Sequence, residues 1–350
     1  MATIELFFAT NRNRLPDQNG QAAFGSAASP GAQGIAFGAC SLDNVGDADP
    51  GTGTISELQV VNFGGIGPEL RTRLLPDAGH DVLVFVHGAA NTFRDAMQRA
   101  AFNTHWINQL PGRPVSTIAF SWPATHYNLG DIAADLRDYR LDQAQAQASA
   151  PHFVEFLEAM YQLKATMGAR RLTLLAHSMG NFMLGFGVER WFATPRDLPP
   201  LFDEVVLAAA DELSGTFATP DGGRLSDLRL LAKHVSVYTS RVDVLMKASR
   251  IANGDWRLGH DGPPNRADAT FFPTANYDFV DCTANMDFTS RSLDETHQYY
   301  RQSATVRGDI ARVLKGQPAP HGARSFTVAQ NDSTLPAISV LASNPVAPVG

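Results

Sequence analysis

The chain has 350 residues, of which 44% are hydrophobic and 18% charged, a composition that is typical of a folded globular protein and excludes general disorder. Its formal net charge of −7 argues against a broad phosphate-binding surface, so nucleic acid is not expected as a partner. No apolar segment approaches the roughly 20 residues that span a bilayer, and the start of the chain lacks the pattern of a secretory signal, so we expect a cytoplasmic protein.

The first part of the chain predicts two strands separated by a long loop. Ile4 to Ala9 is a short apolar run ended by polar turn residues, which favours a strand. The stretch from Gln18 to Gly38 is rich in Gly, Ala and Ser and has few large apolar side chains. The sequence therefore predicts a surface loop, which we extend over residues 18–57, before a second strand from Leu58 to Phe63.

The middle of the chain alternates between strand and helix patterns. The continuous apolar run at 81–86 predicts a strand that is covered on both faces, and 171–176 has the same buried-strand pattern. Further strands are predicted at 115–120, 204–210 and 234–238. Helical spacing of apolar residues occurs at 92–110, 132–167, 181–191 and 309–314. The alternation predicts an α/β fold, with a mostly parallel central sheet and helices on both faces, in one domain over residues 1–316.

Three further segments are assigned from composition. Residues 317–350 are rich in Pro, Ala, Ser and Val and predict a tail, with one short strand pattern at 338–340. Residues 127–150 and 252–273 are the two segments most able to cover a site as lids, and the second has the Gly and Pro content of a mobile loop.

The most informative motif lies at the end of the strand that begins at Arg171. There Ser178 is preceded two residues earlier by Ala176 and followed two residues later by Gly180, between a strand and a helix. A nucleophile elbow requires this pattern, because small residues on either side let the backbone close around the serine. The N–H of Met179, in the first helical turn, is then placed to bind an oxyanion.

A second oxyanion donor is expected from the loop after the strand at 81–86. His87 and Gly88 form a turn there, and the N–H of Ala89 is the predicted donor. His87 lies too early in the chain to be the catalytic base, and we expect it to hydrogen-bond the loop.

A serine nucleophile needs a histidine base. The histidines after the elbow are His234, His260, His297 and His321. His297 precedes the final helix in a polar segment and is the predicted base; His260, in Gly- and Pro-rich surroundings, is its rival, because His234 begins a strand and His321 lies in the tail.

A carboxylate must orient the base, and in this fold it follows the serine in the chain. Asp243 comes after the strand at 234–238 and is the predicted partner of His297. Asp211 follows the strand at 204–210, one strand earlier, and is the alternative.

Together these residues resemble the bacterial α/β-hydrolases grouped as the DUF900 family, over roughly the first 315 residues. The pieces that carry the resemblance are Phe8-Ala9-Thr10-Asn11-Arg12, Val84-Phe85-Val86-His87-Gly88, Phe120-Ser121-Trp122-Pro123, Ala176-His177-Ser178-Met179-Gly180 and Leu207-Ala208-Ala209-Ala210-Asp211, with Asp243 and His297. The resemblance implies an α/β-hydrolase fold and a triad of Ser178, Asp243 and His297. It also implies that Trp122 lines or buttresses the pocket, although a core role is equally compatible; His87, Gly88 and His177 are the other pocket candidates.

The leading hypothesis is a serine hydrolase that cleaves carboxylic esters of small molecules without a cofactor or metal. Amidase, thioesterase and lactonase activities use the same intermediate, and a non-catalytic binding protein on the same scaffold is the alternative from another class. Metal-dependent hydrolysis lacks a suitable ligand motif. Cys40 and Cys282 are expected to be unpaired thiols, and a homo-oligomer is left open.

Overall fold

The computed structural model describes residues 1–29, 34–46, 53–76, 79–125, 132–218, 223–268, 270–285, 295–317, 324–326 and 332–335. The strands are β1 (Ala2–Thr10), β2 (Arg12–Gln18), β3 (Gln21–Ala28), β4 (Ala36–Val45), β5 (Thr54–Phe63), β6 (Asp81–Val86), β7 (Val115–Ser121), β8 (Leu172–His177), β9 (Glu204–Ala208), β10 (Val235–Thr239), β11 (Tyr277–Asp281), β12 (Ser325–Phe326) and β13 (Asp332–Thr334). The helices are α1 (Pro68–Leu74), α2 (Phe93–Asn108), α3 (Ile132–Ala148), α4 (Ala150–Lys164), α5 (Met179–Phe192), α6 (Leu228–Leu231), α7 (Val244–Asn253), α8 (Leu258–Asp261), α9 (Tyr299–Gln302) and α10 (Ala304–Leu314), with a 3₁₀ turn at Glu295–Gln298.

The central sheet has eleven strands in the order β12-β13-β11-β10-β9-β8-β6-β7-β1-β4-β5. Every pairing from β13 to β1 is parallel, whereas β12, β4 and β5 pair antiparallel. The predicted mostly parallel sheet is therefore confirmed. Because parallel strands place their carboxyl ends at one edge, the ends of β6, β8, β9 and β10 lie next to each other and position the site.

The two faces of the sheet are covered by different helices. Alternate residues of β6 point to opposite faces: Val82, Val84 and Val86 pack with residues of α1, α4 and α5 in one core, whereas Leu83 and Phe85 pack with residues of α2 and α10 in the other. All six residues of β6 are buried. Because both faces of β6 are buried, its sequence is a continuous apolar run.

The prediction of a loop over residues 18–57 is wrong. Strands β3 and β4 occupy much of this stretch; β2 and β3 form a separate ribbon, and β4 pairs with both β1 and β5. The ribbon gains its apolar anchor from Phe24, whose ring lies 4.6 Å from that of Phe93. Close packing requires a glycine at position 38, because a Cβ there would overlap the Gln59 carbonyl and the Phe8 ring.

Several element boundaries also differ from the sequence analysis. The helical segment 132–167 is two helices, α3 and α4, divided at Ser149. Strand β11 has no counterpart in the sequence analysis, since its five residues include two aspartates. Part of the supposed tail adds two strands to the sheet: β13 pairs parallel with β11, and β12 pairs antiparallel with β13 at the edge. The strand pattern at 338–340 and His321 lie outside the described residues.

The two segments predicted as lids are fastened to the carboxyl edge of the sheet. Helix α3, within 127–150, carries Asp142, whose Oδ2 accepts a hydrogen bond from the Ala90 N–H at 2.9 Å. In the segment 252–273, the Gly259 N–H donates to the Ala210 carbonyl at 2.8 Å. A Cβ at Gly259 would overlap the backbone of Ala209 and Ala210, so this glycine permits close packing. Across the described residues, none of the helices combines the length and apolar character needed to cross a bilayer.

Candidate active site

Ser178 occupies a strained turn between β8 and α5. Its φ of 54° and ψ of −129° lie in a region that non-glycine residues rarely adopt. The turn is held by backbone hydrogen bonds from the Ser178 N–H to the Ala208 carbonyl and from the Asp211 N–H to the Ser178 carbonyl, both 3.1 Å. The sharp strand-to-helix turn that the motif predicts is present.

Gly180 allows α5 to start close to β6. A Cβ at this position would lie 2.6 Å from the His87 carbonyl oxygen and 2.8 Å from that of Val86. Both contacts are with backbone, which cannot rotate away. Close packing against these carbonyls therefore requires a glycine two residues after the serine.

We expect Gly180→Ala to lower the free energy of unfolding by about 1–3 kcal/mol, because the added methyl group overpacks against these carbonyls. Helix propensity alone would make the alanine variant more stable. A decrease in the free energy of unfolding would therefore indicate the steric effect. Urea unfolding measures it. Gly65→Ala is the matched control, since a Cβ there meets nothing within 4 Å; equal stability of the two variants would contradict the steric argument.

The loop after β6 lies directly against the serine. A Cβ at Gly88 would stand 2.8 Å from the Ser178 Cβ, so the next amide, that of Ala89, is close to the elbow. The Met179 N–H belongs to the first turn of α5, where helix amides have no intrahelical acceptor. Neither amide donates a hydrogen bond to another described residue.

His87 and Trp122 support this loop from behind. The rings stack at 5.1 Å between centroids with 7° between their planes, and Trp122 Nε1 donates to the His87 carbonyl at 2.9 Å. His87 Nδ1 lies 2.8 Å from the Gly88 carbonyl oxygen, and burial lowers the pKa of His87 well below its usual value. His87 thus hydrogen-bonds the loop, as expected, and Trp122 buttresses it from the core. Any contact of His87, Gly88, Trp122 or His177 with substrate stays a prediction, since all four are buried.

Arg12 ties three segments together at the same edge. Its guanidinium is buried and donates to the Asn91 carbonyl at 2.8 Å, to Ser121 Oγ at 2.9 Å and to the Ala124 carbonyl at 3.2 Å. It therefore connects the end of β1 to the loops after β6 and β7. In the sequence Arg12 is only one residue of a family motif, and no role was predicted for it.

His297 and Asp243 form a buried pair. His297 Nδ1 lies 2.7 Å from Asp243 Oδ2, and Asp243 is fully buried. The other carboxylate oxygen of Asp243 accepts from the Met246 N–H at 3.0 Å, so the residue also caps α7. Because both oxygens are engaged, the carboxylate is fixed in orientation toward the histidine ring.

The pair lies next to the elbow. The rings of His297 and His177, the residue before Ser178, are 4.8 Å apart, and His177 Nε2 donates to the His297 carbonyl at 3.4 Å. Tyr300 packs on the other side of His177, with the ring centroids 4.4 Å apart. These contacts bring the late histidine to the residue that precedes the serine.

Burial, followed by the charge of His297, lowers the pKa of His177 well below its usual value. The neutral ring is favoured in the folded chain, so the unfolded chain binds more protons below pH about 6.5 and stability falls as the pH falls through that value. We expect replacement by Asn to remove about 1.4 kcal/mol of the stability loss between pH 7.5 and 5.5. Urea unfolding of both proteins at the two pH values tests this; equal losses would contradict it.

The alternative residues are engaged elsewhere. Asp211 accepts hydrogen bonds from Tyr139 Oη at 2.9 Å and from Ser249 Oγ, and it lies 3.5 Å from Arg257 Nε. His260 Nδ1 lies 2.7 Å from Asp261, and His234 Nδ1 lies 3.1 Å from Glu204. The structure therefore brings His297 together with Asp243, and it does not bring Asp211 to a histidine.

The roles of two residues of α3, Asp142 and Tyr139, were not predicted from the sequence. Asp142 fastens α3 to the loops that follow β6 and β7 through Ala90 and Thr125, and burial raises its pKa. Tyr139 connects α3 to Asp211. In the sequence, each is a polar residue on a weakly amphipathic helix. This pattern does not reveal which residue its side chain contacts.

Among the described residues, neither a cluster of metal ligands nor a disulfide is present. Within the described ranges, no group of three or more His, Cys, Asp or Glu side chains is arranged to hold a metal ion. Cys40 and Cys282 are both buried and unpaired, and burial raises the pKa of each thiol. The expectation of two free thiols is confirmed.

A mostly parallel sheet with helices on both faces and a serine on a strained strand-to-helix turn defines the class of α/β hydrolases. The family model described as alpha/beta hydrolase of unknown function (DUF900) matches residues 67–315, and the chain belongs to this family. The resemblance noted in the sequence is thereby confirmed.

Comparison with solved structures gives distant similarities. A gene product of Listeria innocua, lin2722, shares 11% identity over 74% of this chain and 100% of its own, with a TM-score of 0.36. A cold-adapted esterase from an Arctic intertidal metagenomic library shares 14% identity over 86% of this chain and 94% of its own, with a TM-score of 0.33. None of the curated proteins compared matches the chain.

Proposed function

We propose that the protein is a serine hydrolase that cleaves carboxylic esters through an acyl-enzyme on Ser178. The observation that carries the proposal is the buried pair of His297 and Asp243, 2.7 Å apart, beside a serine with a positive φ. A base oriented by a carboxylate next to a serine on such a turn is the arrangement that activates a hydroxyl group.

The reaction begins with proton transfer from Ser178 Oγ to His297 Nε2 as the oxygen attacks the acyl carbon. The charge on the tetrahedral oxygen is bound by the N–H groups of Met179 and Ala89. His297 then gives the proton to the departing alcohol oxygen, which leaves the acyl group on Ser178. Water, deprotonated by the same histidine, releases the acid and restores the serine. Asp243 stabilises the imidazolium in both halves.

Small-molecule esters are favoured over amides among the acyl compounds that share this intermediate. An alcohol leaves a tetrahedral intermediate more readily than an amine does, so an ester needs less assistance from the general acid than an amide does.

A fluorophosphonate probe tests the nucleophile directly. We expect stoichiometric labelling, a mass increase on the peptide that contains Ser178, and loss of hydrolysis of short p-nitrophenyl esters in proportion to the labelling. Labelling of another serine, or none together with undiminished ester hydrolysis, would refute the proposal.

A further inference from the structure

Helices α3 and α7 lie side by side above the carboxyl edge of the sheet. Tyr139 Oη is 3.0 Å from Ser249 Oγ, and Gln143 Nε2 donates to Asn253 Oδ1 at 2.9 Å. Both helices are attached to the candidate site, α3 through Asp142 and the Ala90 N–H, and α7 through Asp243 at its start. The outer surface of the two helices is therefore connected to the candidate site through these contacts.

The outer side of α7 presents an apolar residue to solvent. Ser249 faces inward to Asp211, and at 100° per residue Lys247 and Ile251 lie about 160–200° away on the helix. Ile251 is 84% exposed. An aliphatic side chain of this size in that position contributes nothing to the packing of the described residues.

Other side chains continue this surface. Trp256 is 48% exposed, and the Arg250 guanidinium lies 3.1 Å from the centroid of its ring. Arg140 of α3 donates to the Ala252 carbonyl beside them, and Leu136, one turn earlier, is exposed. The outer face of α3 and α7 is defined here by Leu136, Arg140, Lys247, Arg250, Ile251 and Trp256.

The charge of this outer face is opposite to that of the whole chain. Within residues 136–140 and 247–256, the described cations are Arg137, Arg140, Lys247 and Arg250, and the described anions are Asp138 and Asp255. The chain as a whole carries −7. Cations around exposed aliphatic and indole side chains are the composition by which proteins bind the surface of a negatively charged bilayer.

We propose that the outer face of α3 and α7 binds an anionic lipid surface and that the esters reaching Ser178 are lipid esters. Ile251 and Trp256 enter the boundary between headgroups and acyl chains, while the three cations contact lipid phosphates. A second copy of the chain on the same face would oppose like charges, so a lipid surface is the better complement. The substrate class rests on the proposed function, whereas the binding does not.

Vesicle cosedimentation with the full-length Ser178→Ala protein tests the binding without turnover. We expect tight association with phosphatidylcholine vesicles that contain about one third phosphatidylglycerol, weak association with pure phosphatidylcholine, and release at high salt. Lys247→Glu/Arg250→Glu is expected to weaken binding by about 25-fold or more, at roughly fivefold for each cation lost, and Ile251→Glu by about tenfold.

Two matched controls carry the same changes on other faces. Leu230 is an exposed leucine on α6, which precedes β10, and Arg190 lies near the end of α5, about 18 Å along that helix from Ser178. Leu230→Glu and Arg190→Glu should bind vesicles as the parent does, and thermal unfolding verifies that each variant is folded. Equal binding to neutral and anionic vesicles, or unchanged binding of the α7 variants, would overturn the inference. Hydrolysis of a soluble short ester by the unmodified protein separates this result from failure of the proposed function.

Discussion

Ser178→Ala is expected to lower kcat/KM for short acyl esters by at least about 10⁴-fold, because the variant retains the oxyanion donors but has no nucleophile. KM should change little, since the removed hydroxyl contributes to the transition state and not to ground-state binding. A spectrophotometric assay with p-nitrophenyl esters of graded acyl length measures both parameters and also gives the preferred length.

Two measurements test whether the loss of activity has a cause other than removal of the nucleophile. Ser56→Ala, an exposed serine of β5, should retain full activity, and the thermal midpoint of Ser178→Ala should not fall. The backbone at 178 is strained with a serine present, and alanine adopts the same conformation at a similar cost. Undiminished ester hydrolysis by the Ser178→Ala protein would exclude the serine mechanism.

Asp243→Asn is expected to reduce kcat by about 10⁴-fold, because an amide cannot stabilise the imidazolium and favours the wrong tautomer of His297. The substitution isolates chemistry from folding, since the Asn oxygen can still accept the hydrogen bond from the Met246 N–H that caps α7. Steady-state kinetics and urea unfolding of the same preparation distinguish the two effects.

Asp211→Asn is the control for that result, because Asp211 is also a buried carboxylate at a strand end. Its hydrogen bonds go to Tyr139 and Ser249, so we expect a kcat loss of less than about tenfold. Its stability should fall, since the charge beside Arg257 is removed. A larger kcat loss for Asp211→Asn than for Asp243→Asn would transfer the orienting role to Asp211.

The central α/β region was predictable from the sequence because its signals are local. The largely apolar sequences of β6 and β8 indicate burial on both faces. The small residues around Ser178 indicate a tight turn, in which Gly180 approaches the carbonyls of Val86 and His87. Chain order then selected Asp243 and His297, whose hydrogen bond the structure contains.

The remaining features depend on partners that are distant in sequence. Strands β3 and β4 have small side chains and are recognisable only from their pairing with neighbouring strands. Arg12 acquires its role from acceptors about 80 to 110 residues later, at Asn91 and Ser121. Asp142 likewise acts on Ala90, 52 positions earlier, a relationship that no local pattern encodes.

Strand β1 lies outside the region of the chain that the family model matches. The matched region starts at residue 67, yet β1 pairs with β7 inside the sheet, and Arg12, two residues after the end of β1, donates to the loop after β6 and to the end of β7. A polypeptide that began at residue 67 would leave β7 as an exposed edge strand and would lose these contacts of Arg12. In this chain, the sheet that supports the candidate site thus extends beyond the region by which its family is recognised.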